Sequence, residues 1–230
     1  MTLQALILAA GRGERMRPLT DHCPKPLLCV QGKPLIVWHL EKLARAGVLN
    51  VVINTAWLEE QFVALLGDGS AFGLRIRYSH ESARFGGALE TAGGIASALP
   101  LLQDAPFWLV AGDVFMPTFD FPAADARRFA DSGALAHIYL VPNPPHKPGG
   151  DFGISPDGLA LSRADQQFTY STLGLYQAAL FKNIPIGQKA ALAPLLRQAM
   201  QSGQITAALY SGLWTDVGTP ERLAELNTTR

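Results

Sequence analysis

The sequence predicts an α/β fold with a doubly wound, mostly parallel central sheet and an inserted β region, and three observations lead there. Near-continuous apolar runs such as "ALILAA", "VVINTAW" and "FWLVAG" read as strands buried on both faces. Segments with the three-to-four spacing of a helix separate the early runs, which makes consecutive strands parallel. Past residue 130 the pattern shifts to shorter β segments around a proline- and glycine-rich loop.

Residues 5–10 form the first strand, and residues 11–33 a polar loop far longer than the roughly two to six residues that usually join strand to helix. Residues 35–46 carry Leu35, Ile36, Leu40 and Leu43 at helical spacing, with Pro34 suited to the first turn and Gly47 to the stop. A second strand ends near Asn54, and a helix over residues 58–66 is broken by "GDGS". "LRIRYSH" alternates as a half-exposed strand does, and "FGGALETAGGIASAL" is a glycine-rich turn feeding a helix. "FWLVAGDVF" is a strand ending in Gly112 and Asp113, and "ALAHIYLV" another, followed by the loop "PNPPHKPGGDFGIS". Short β segments near residues 159–161 and 168–176, a helix over 192–201, the strand-like "ITAALY" and "LWTDVGTPERLAEL" complete the chain. No repeat or low-complexity segment divides it, so a single domain over residues 1–230 is expected.

Composition narrows the function. With 48% hydrophobic residues the 230-residue chain can bury a substantial core. Lys plus Arg and Asp plus Glu are equal at 19 each, so no broad basic field exists to hold a nucleic acid or an anionic membrane. Cys23 and Cys29 fit neither a redox pair nor a zinc ligand set and are expected to be reduced. The short apolar N-terminal stretch lacks the flanks of a signal peptide, and no run reaches the length of a membrane span. A soluble cytoplasmic protein is expected.

The long first loop, "LILAAGRGERMRPLTDHCPKPL", concentrates Arg12, Arg15, Arg17 and Lys25 around Gly11 and Gly13. In doubly wound folds such a loop offers backbone N–H groups to a phosphate, and glycine lets the ligand approach closely. The pattern is neither the dinucleotide fingerprint, since Met16 replaces the third small residue, nor a Walker A loop. Arg15 offers a planar fork for two phosphate oxygens. Lys25, between Pro24 and Pro26, is expected on extended backbone that presents its ammonium at small entropic cost. His22, in the same loop, is expected to be a bystander.

This stretch closely resembles the signature of sugar-1-phosphate nucleotidyltransferases, which make NDP-sugars from an NTP and a sugar phosphate. The resemblance implies a Rossmann-like nucleotidyltransferase fold with residues 1–130 mainly nucleotide-binding and residues 131–230 mainly sugar-binding. It implies that Ala10, Gly11, Gly13 and Arg15 hold the triphosphate and that Lys25 bridges the α-phosphate and the attacking sugar phosphate. "GDV" and "WTDVGTPERL" resemble the family's two metal-binding segments, making Asp113 and Asp216 the expected Mg2+ ligands. Magnesium takes one or two protein carboxylates plus phosphate oxygens and water, which suits a nucleotide site. The attacking phosphate oxygen is already ionised, so no nucleophilic side chain and no general base are required.

On the base side, Asn54, Glu90 and Gly93 are the expected contacts, with Trp57 a candidate wall. "GRGERMRPLT", "LETAGGI", "GDFGIS" and "LAPLLRQAM" resemble most the uridylyltransferase branch acting on N-acetylmuramate-1-phosphate in cell-wall recycling. That branch implies UTP as donor and Asp151 and Ser171 facing the sugar. Thr172 stands where such relatives tend to have glycine, and "QKAALAPLL" shifts a lysine they place just before Leu192. A mannose- or glucose-1-phosphate transferase using GTP or another NTP is the second reading, and a non-catalytic sugar-nucleotide sensor the third. A chain of this size can work as a monomer.

Overall fold

The computed structural model describes residues 3–228. In chain order the elements are β1 (Gln4–Leu8), β2 (Cys29–Val30), β3 (Lys33–Pro34), α1 (Leu35–Arg45), β4 (Asn50–Thr55), α2 (Glu59–Leu66), β5 (Arg75–His80), α3 (Glu81–Phe85), α4 (Glu90–Ala98), β6 (Phe107–Ala111) and β7 (Val114–Phe115). There follow α5 (Ala123–Asp131), β8 (Ala136–Val141), β9 (Gly153–Ile154), β10 (Ala160–Leu161), β11 (Thr169–Tyr176), α6 (Leu192–Gln201), β12 (Ile205–Leu209), β13 (Thr215–Asp216) and α7 (Pro220–Thr228).

Seven strands form the central sheet in the order β12-β8-β11-β6-β1-β4-β5. β6, β1, β4 and β5 run parallel, as helical crossovers require. β11 runs antiparallel to both β6 and β8, and β12 is parallel to β8. The sequence pattern marks a β segment over residues 168–176, and the structure seats its strand, β11, inside the main sheet. Its burial explains this, since Leu173, Leu175 and Tyr176 are closed to solvent and must pack on both sides. The insert reduces to the β9–β10 ribbon, with bridges Phe152–Phe168 and Leu159–Thr206.

Alternation along the strands builds one core on each face. Ala5, Ile7, Val51, Ile53, Trp108 and Val110 meet α1, α2 and α5 on one side. Leu6, Val52, Phe107 and Leu109 meet α4 and α6 on the other. Helix α1 shows why its pattern was readable: Ile36, Leu40 and Leu43 are fully buried on one stripe. Truncating Leu40 to Ala would cost about 2–5 kcal/mol. Helix α5 escapes the sequence reading because only Ala126 and Phe129 are buried in it, too few to set a period.

A third, smaller core fixes the functional loop. Met16 is sealed among Val30, Leu35, Phe115 and Val217, and Leu223 and Leu226 of α7 pack against it. The residue that breaks the dinucleotide fingerprint is therefore the anchor of the loop. No helix among the described residues is long and apolar enough to cross a membrane.

Candidate active site

A cleft of about 720 Å³ opens at the ends of β1, β4 and β6, where Leu8, Asn54 and Ala111 line it. This is the carboxyl edge of the parallel strands, where open α/β sheets place ligands. Ala9, Ala10, Gly11 and Gly13 from the first loop line it. Gly13 has φ +67°, and a Cβ there would stand 3.1 Å from Thr20 Cγ2 and 3.3 Å from Lys25 Cβ. Both the left-handed backbone and the close approach require glycine.

The arginines of the loop divide their work. Arg12 donates to the Thr20 carbonyl and to Asp21 Oδ1, each at 2.6 Å, and its guanidinium stacks 3.9 Å from the centre of Trp57. Trp57 Nε1 donates to the same carbonyl at 3.0 Å, so this tryptophan braces the loop and is not among the residues lining the cleft. Asp21 is held below the usual carboxylate range by the Arg12 hydrogen bond first and by Arg17 as well. Arg15 is exposed, with no hydrogen bond or ion pair among the described residues, and lies outside the cleft lining. His22 is exposed and contributes its carbonyl to Gln61.

Lys25 sits in a one-turn 3-10 helix, Lys25–Leu27, not on extended backbone. Pro24 is extended, but the Leu27 and Leu28 N–H groups donate to the Pro24 and Lys25 carbonyls at 2.8 and 3.1 Å and close the turn. The turn tucks the lysine against Gly13, leaving it 8% exposed, and its Nζ donates to Asp113 Oδ2 at 2.6 Å. Asp113 follows Gly112, where a Cβ would lie 3.2 Å from both the Leu8 carbonyl oxygen and Pro26 Cβ. Glycine thus lets the end of β6 close on β1 and on the lysine turn.

Asp216 comes to the same corner through β13, which pairs antiparallel with β7 so that Asp216 faces Val114. The Val217 N–H donates to the Asp113 carbonyl at 3.0 Å. Arg222 of α7 holds Asp216 Oδ2 at 2.5 Å and its backbone carbonyl at 3.0 Å. Oδ1 lies 3.0 Å from His146 Nε2, but that nitrogen accepts from Arg222, so Oδ1 is buried with no donor aligned on it. An acceptor-only oxygen without a donor fits a cation ligand. No cluster of three His, Cys, Asp or Glu groups exists among the described residues, so a cation here would draw its remaining ligands from phosphate and water.

Asn54 lines the cleft, yet its amide is committed: Oδ1 accepts from the Ala9 N–H at 2.8 Å and Nδ2 donates to Glu81 Oε1 at 2.6 Å. Glu81, which the sequence reading passed over, is fully buried and also accepts from the Leu89 N–H at 2.8 Å. Burial pushes its carboxyl above the ordinary glutamate range, against the two hydrogen bonds. Gly94 makes room for this strut, since a Cβ there would fall 2.5 Å from Glu81 and 2.7 Å from Asn54. Gly93 likewise faces protein, with a Cβ position 2.2 Å from the Gln188 carbonyl oxygen. Neither glycine lines the cleft; Ala88, Glu90 and Thr91 supply that wall.

On the opposite wall stand Lys147, Asp151, Phe152, Tyr170 and Thr172, with Ala191, Leu192, Ala193 and Leu196 below them. Ser171 is fully buried and donates to the Tyr139 carbonyl at 2.7 Å. Strand alternation explains this: Tyr170 and Thr172 face the cleft, so Ser171 faces away. Thr172 has φ +60°, in the left-handed region that favours glycine, and lies within the bulge that shifts register between Tyr170 and Gly174.

A glycine loop on the cleft, a buried lysine and two carboxylates at one sheet corner fit a phosphoryl-handling enzyme of the α/β class. The nucleotidyl transferase family model matches residues 4–156, and the chain belongs to that family. It is 50% identical over 97% of its length to N-acetylmuramate alpha-1-phosphate uridylyltransferase of Neisseria meningitidis, covering 96% of that protein. The Caulobacter vibrioides protein of the same name is 32% identical, with 94% of this chain and 92% of the relative covered. A mannose-1-phosphate guanylyltransferase of Mycobacterium tuberculosis is 38% identical over 95% of this chain, which spans 62% of that longer protein. A solved Bacillus anthracis chain classed as a glucose-1-phosphate thymidylyltransferase superposes with a TM-score of 0.83 at 21% identity, covering 98% of this chain and 94% of its own. That likeness establishes the fold.

Proposed function

We propose that the protein joins UTP to N-acetylmuramate-1-phosphate, giving the UDP-sugar and pyrophosphate, as a step of cell-wall recycling in the cytoplasm. The observation that carries the reaction is the Lys25–Asp113 pair, 2.6 Å long, on the wall of the cleft beneath the glycine loop. The end-to-end similarity to the Neisseria protein supports the donor and acceptor.

An acceptor phosphate oxygen attacks the α-phosphorus in line, forming one P–O bond as the bond to the bridging oxygen breaks and pyrophosphate leaves. No proton moves at the reacting atoms. Two unit charges about 4 Å apart repel by roughly 4 kcal/mol at an effective dielectric near 20, so anion must be brought to anion against a substantial barrier. Lys25 offsets that repulsion at the reacting phosphates, and Arg15, exposed and uncommitted, swings onto the triphosphate. Ala10, Gly11 and Gly13 offer the backbone surface for the phosphates, and Glu90 borders the base. Asp113 and Asp216 would hold Mg2+, which when bound neutralises phosphate charge and fixes the triphosphate. Asp151 faces the acceptor. Residues 1–130 serve mainly the nucleotide and residues 131–230 mainly the sugar, all within one chain, which supports a monomeric catalytic unit.

The test is pyrophosphate release from each of four NTPs with N-acetylmuramate-1-phosphate, glucose-1-phosphate and mannose-1-phosphate. The expected result is selective turnover of UTP with N-acetylmuramate-1-phosphate. Preference for GTP with mannose-1-phosphate, the chemistry named for the Mycobacterium relative, would replace this reading. No turnover with any pair would remove it.

A further inference from the structure

We propose that Lys147 reads the acceptor's own carboxylate, making it a residue that sets sugar specificity. The inference rests on the acceptor assigned above. N-acetylmuramate-1-phosphate differs from simpler hexose-1-phosphates in carrying a second anion, the carboxylate of the lactyl ether on its ring. Among the described residues lining the cleft, the positive charges are Lys25 and Lys147. Lys25, beside Asp113, serves the reacting phosphates. The acceptor's phosphate must lie there, so a second anion remote from the phosphate meets the other cation.

Lys147 is built into place. Its loop carries Pro142, Pro144, Pro145 and Pro148, which restrict the backbone before any ligand arrives. Asn143 staples the loop shut: its Nδ2 donates to the Pro148 carbonyl at 3.0 Å and to the Gln167 carbonyl at 2.9 Å, while its Oδ1 accepts from Thr169 Oγ1 at 2.9 Å. The Lys147 N–H closes a turn onto the Pro144 carbonyl at 2.9 Å. Gly150, at φ +64°, lets the chain pass close to residue 167, since a Cβ there would stand 2.8 Å from the Gln167 carbonyl carbon. The ammonium is thus presented at small further entropic cost.

Its partner is fixed as well. Lys147 Nζ donates to Asp151 Oδ2 at 2.6 Å, and that same oxygen accepts the Tyr170 N–H at 2.9 Å. An ammonium has three N–H donors, so two stay free after the Asp151 bond. The side chain is 44% exposed, open to a ligand in the cleft. Asp151 holds the lysine and is available to a sugar hydroxyl, while the free N–H groups face the lactyl carboxylate. A neutral sugar in the same place leaves them to water.

The experiment compares N-acetylmuramate-1-phosphate with the same compound bearing a lactyl carboxamide, using wild-type protein, Lys147→Met and Lys147→Arg. A charge-assisted hydrogen bond corresponds to about 10–100-fold in kcat/KM. Wild type is expected to prefer the acid by that factor, mostly through KM, with the KM for UTP unchanged. Lys147→Met should treat acid and amide alike, and Lys147→Arg should keep the preference. An acid preference that survives in Lys147→Met, or no preference in wild type, would overturn the proposal; a melting curve on each variant separates misfolding from lost recognition. If wild type instead uses only mannose- or glucose-1-phosphate, the acceptor reading itself fails, a result visible before any variant is made.

Discussion

Lys25 Nζ and Asp113 Oδ2 stand 2.6 Å apart although 88 positions separate them in the chain, and this contact ties the loop after β1 to the end of β6 on the wall of the cleft. The lysine is buried while the carboxylate is about one-third exposed, so the pair opens toward a ligand on the acidic side.

That asymmetry sets the first prediction. Lys25→Met should lower kcat by about 10²–10³-fold, the range seen when one aligned electrostatic contact to developing charge is removed. Asp113→Asn should do the same with the Mg2+ dependence lost. Lys25→Met should cost little more than about 1 kcal/mol of stability, because Asp113 can be solvated when its partner is removed. Asp113→Asn instead leaves the buried ammonium without its countercharge and should cost more, up to about 3–5 kcal/mol. Steady-state pyrophosphate release together with urea unfolding checks both parts; unimpaired turnover in either variant would contradict the assigned roles.

Glu81 should behave oppositely, as a strut whose loss is felt in stability first. Its two oxygens accept from Asn54 Nδ2 and the Leu89 N–H, and Asn54 in turn accepts from the Ala9 N–H at the root of the phosphate loop. Glu81→Gln puts an NH2 group where an acceptor is needed, leaving a buried donor unpaired. The expected loss is about 1–3 kcal/mol in chemical denaturation. Turnover measured well below the melting temperature should fall less than in Lys25→Met, because the loop loses support and no reacting group is lost.

Thr172 carries backbone strain on the wall of the cleft. A β-branched residue at φ +60° costs of order 1–3 kcal/mol, part of which glycine would give back as unfolded-state entropy. Thr172→Gly is therefore expected to stabilise the protein by about 0.5–1 kcal/mol, read as a rise in melting temperature. A fall would mean that the hydroxyl, which donates to the Ser171 carbonyl at 2.6 Å, contributes more than the strain removes.

What the sequence made legible and what it hid have physical causes. The parallel strands and α1 were readable because a residue buried on a strand or helix stripe leaves a period; among the loop cations the structure brings Lys25 to the cleft, while Arg12 and Arg17 bind Asp21. Asp151, Glu90 and Ala10 do line the cleft. The sense of a strand inside a sheet leaves no such mark, so the sequence shows β11 as a β segment without its place in the sheet or its antiparallel direction. Gly93, Gly94 and Ser171 look functional as letters, but close packing and hydroxyl-to-carbonyl bonding use the same residue types as ligand binding does. Glu81 was hidden because a carboxylate with no exposed surface cannot be told in one dimension from a helix-start acid. Asp216 reaches its corner through strand pairing alone, with its side chain held by Arg222 and set back from the cleft lining.

A pH dependence follows from His39, buried on α1 beside the strand that follows Asp113. Its Nε2–H donates to the Val114 carbonyl at 2.9 Å, which fixes the neutral tautomer. Burial lowers its pKa to about 4 from 6.5, against the opposing pull of the Val114 bond and the Asp113 charge. Between those values the unfolded chain holds more protons than the folded one, so stability present above pH 6.5 is lost as the pH falls toward 4, by about 3 kcal/mol in all. His39→Gln keeps a donor to Val114 and should flatten this slope. Denaturation midpoints taken from pH 7 to pH 4 would show it; parallel curves for the two proteins would refute it.

The most direct measurement of the central claim is a crystal structure of the protein with UTP and Mn2+ in place of Mg2+, the metal located by its anomalous scattering. The account predicts a peak bonded to the carboxylates of Asp113 and Asp216 and to an α-phosphate oxygen, with the triphosphate along Gly11 and Gly13. A nucleotide bound with its metal on neither carboxylate, or triphosphate density outside this cleft, would contradict it.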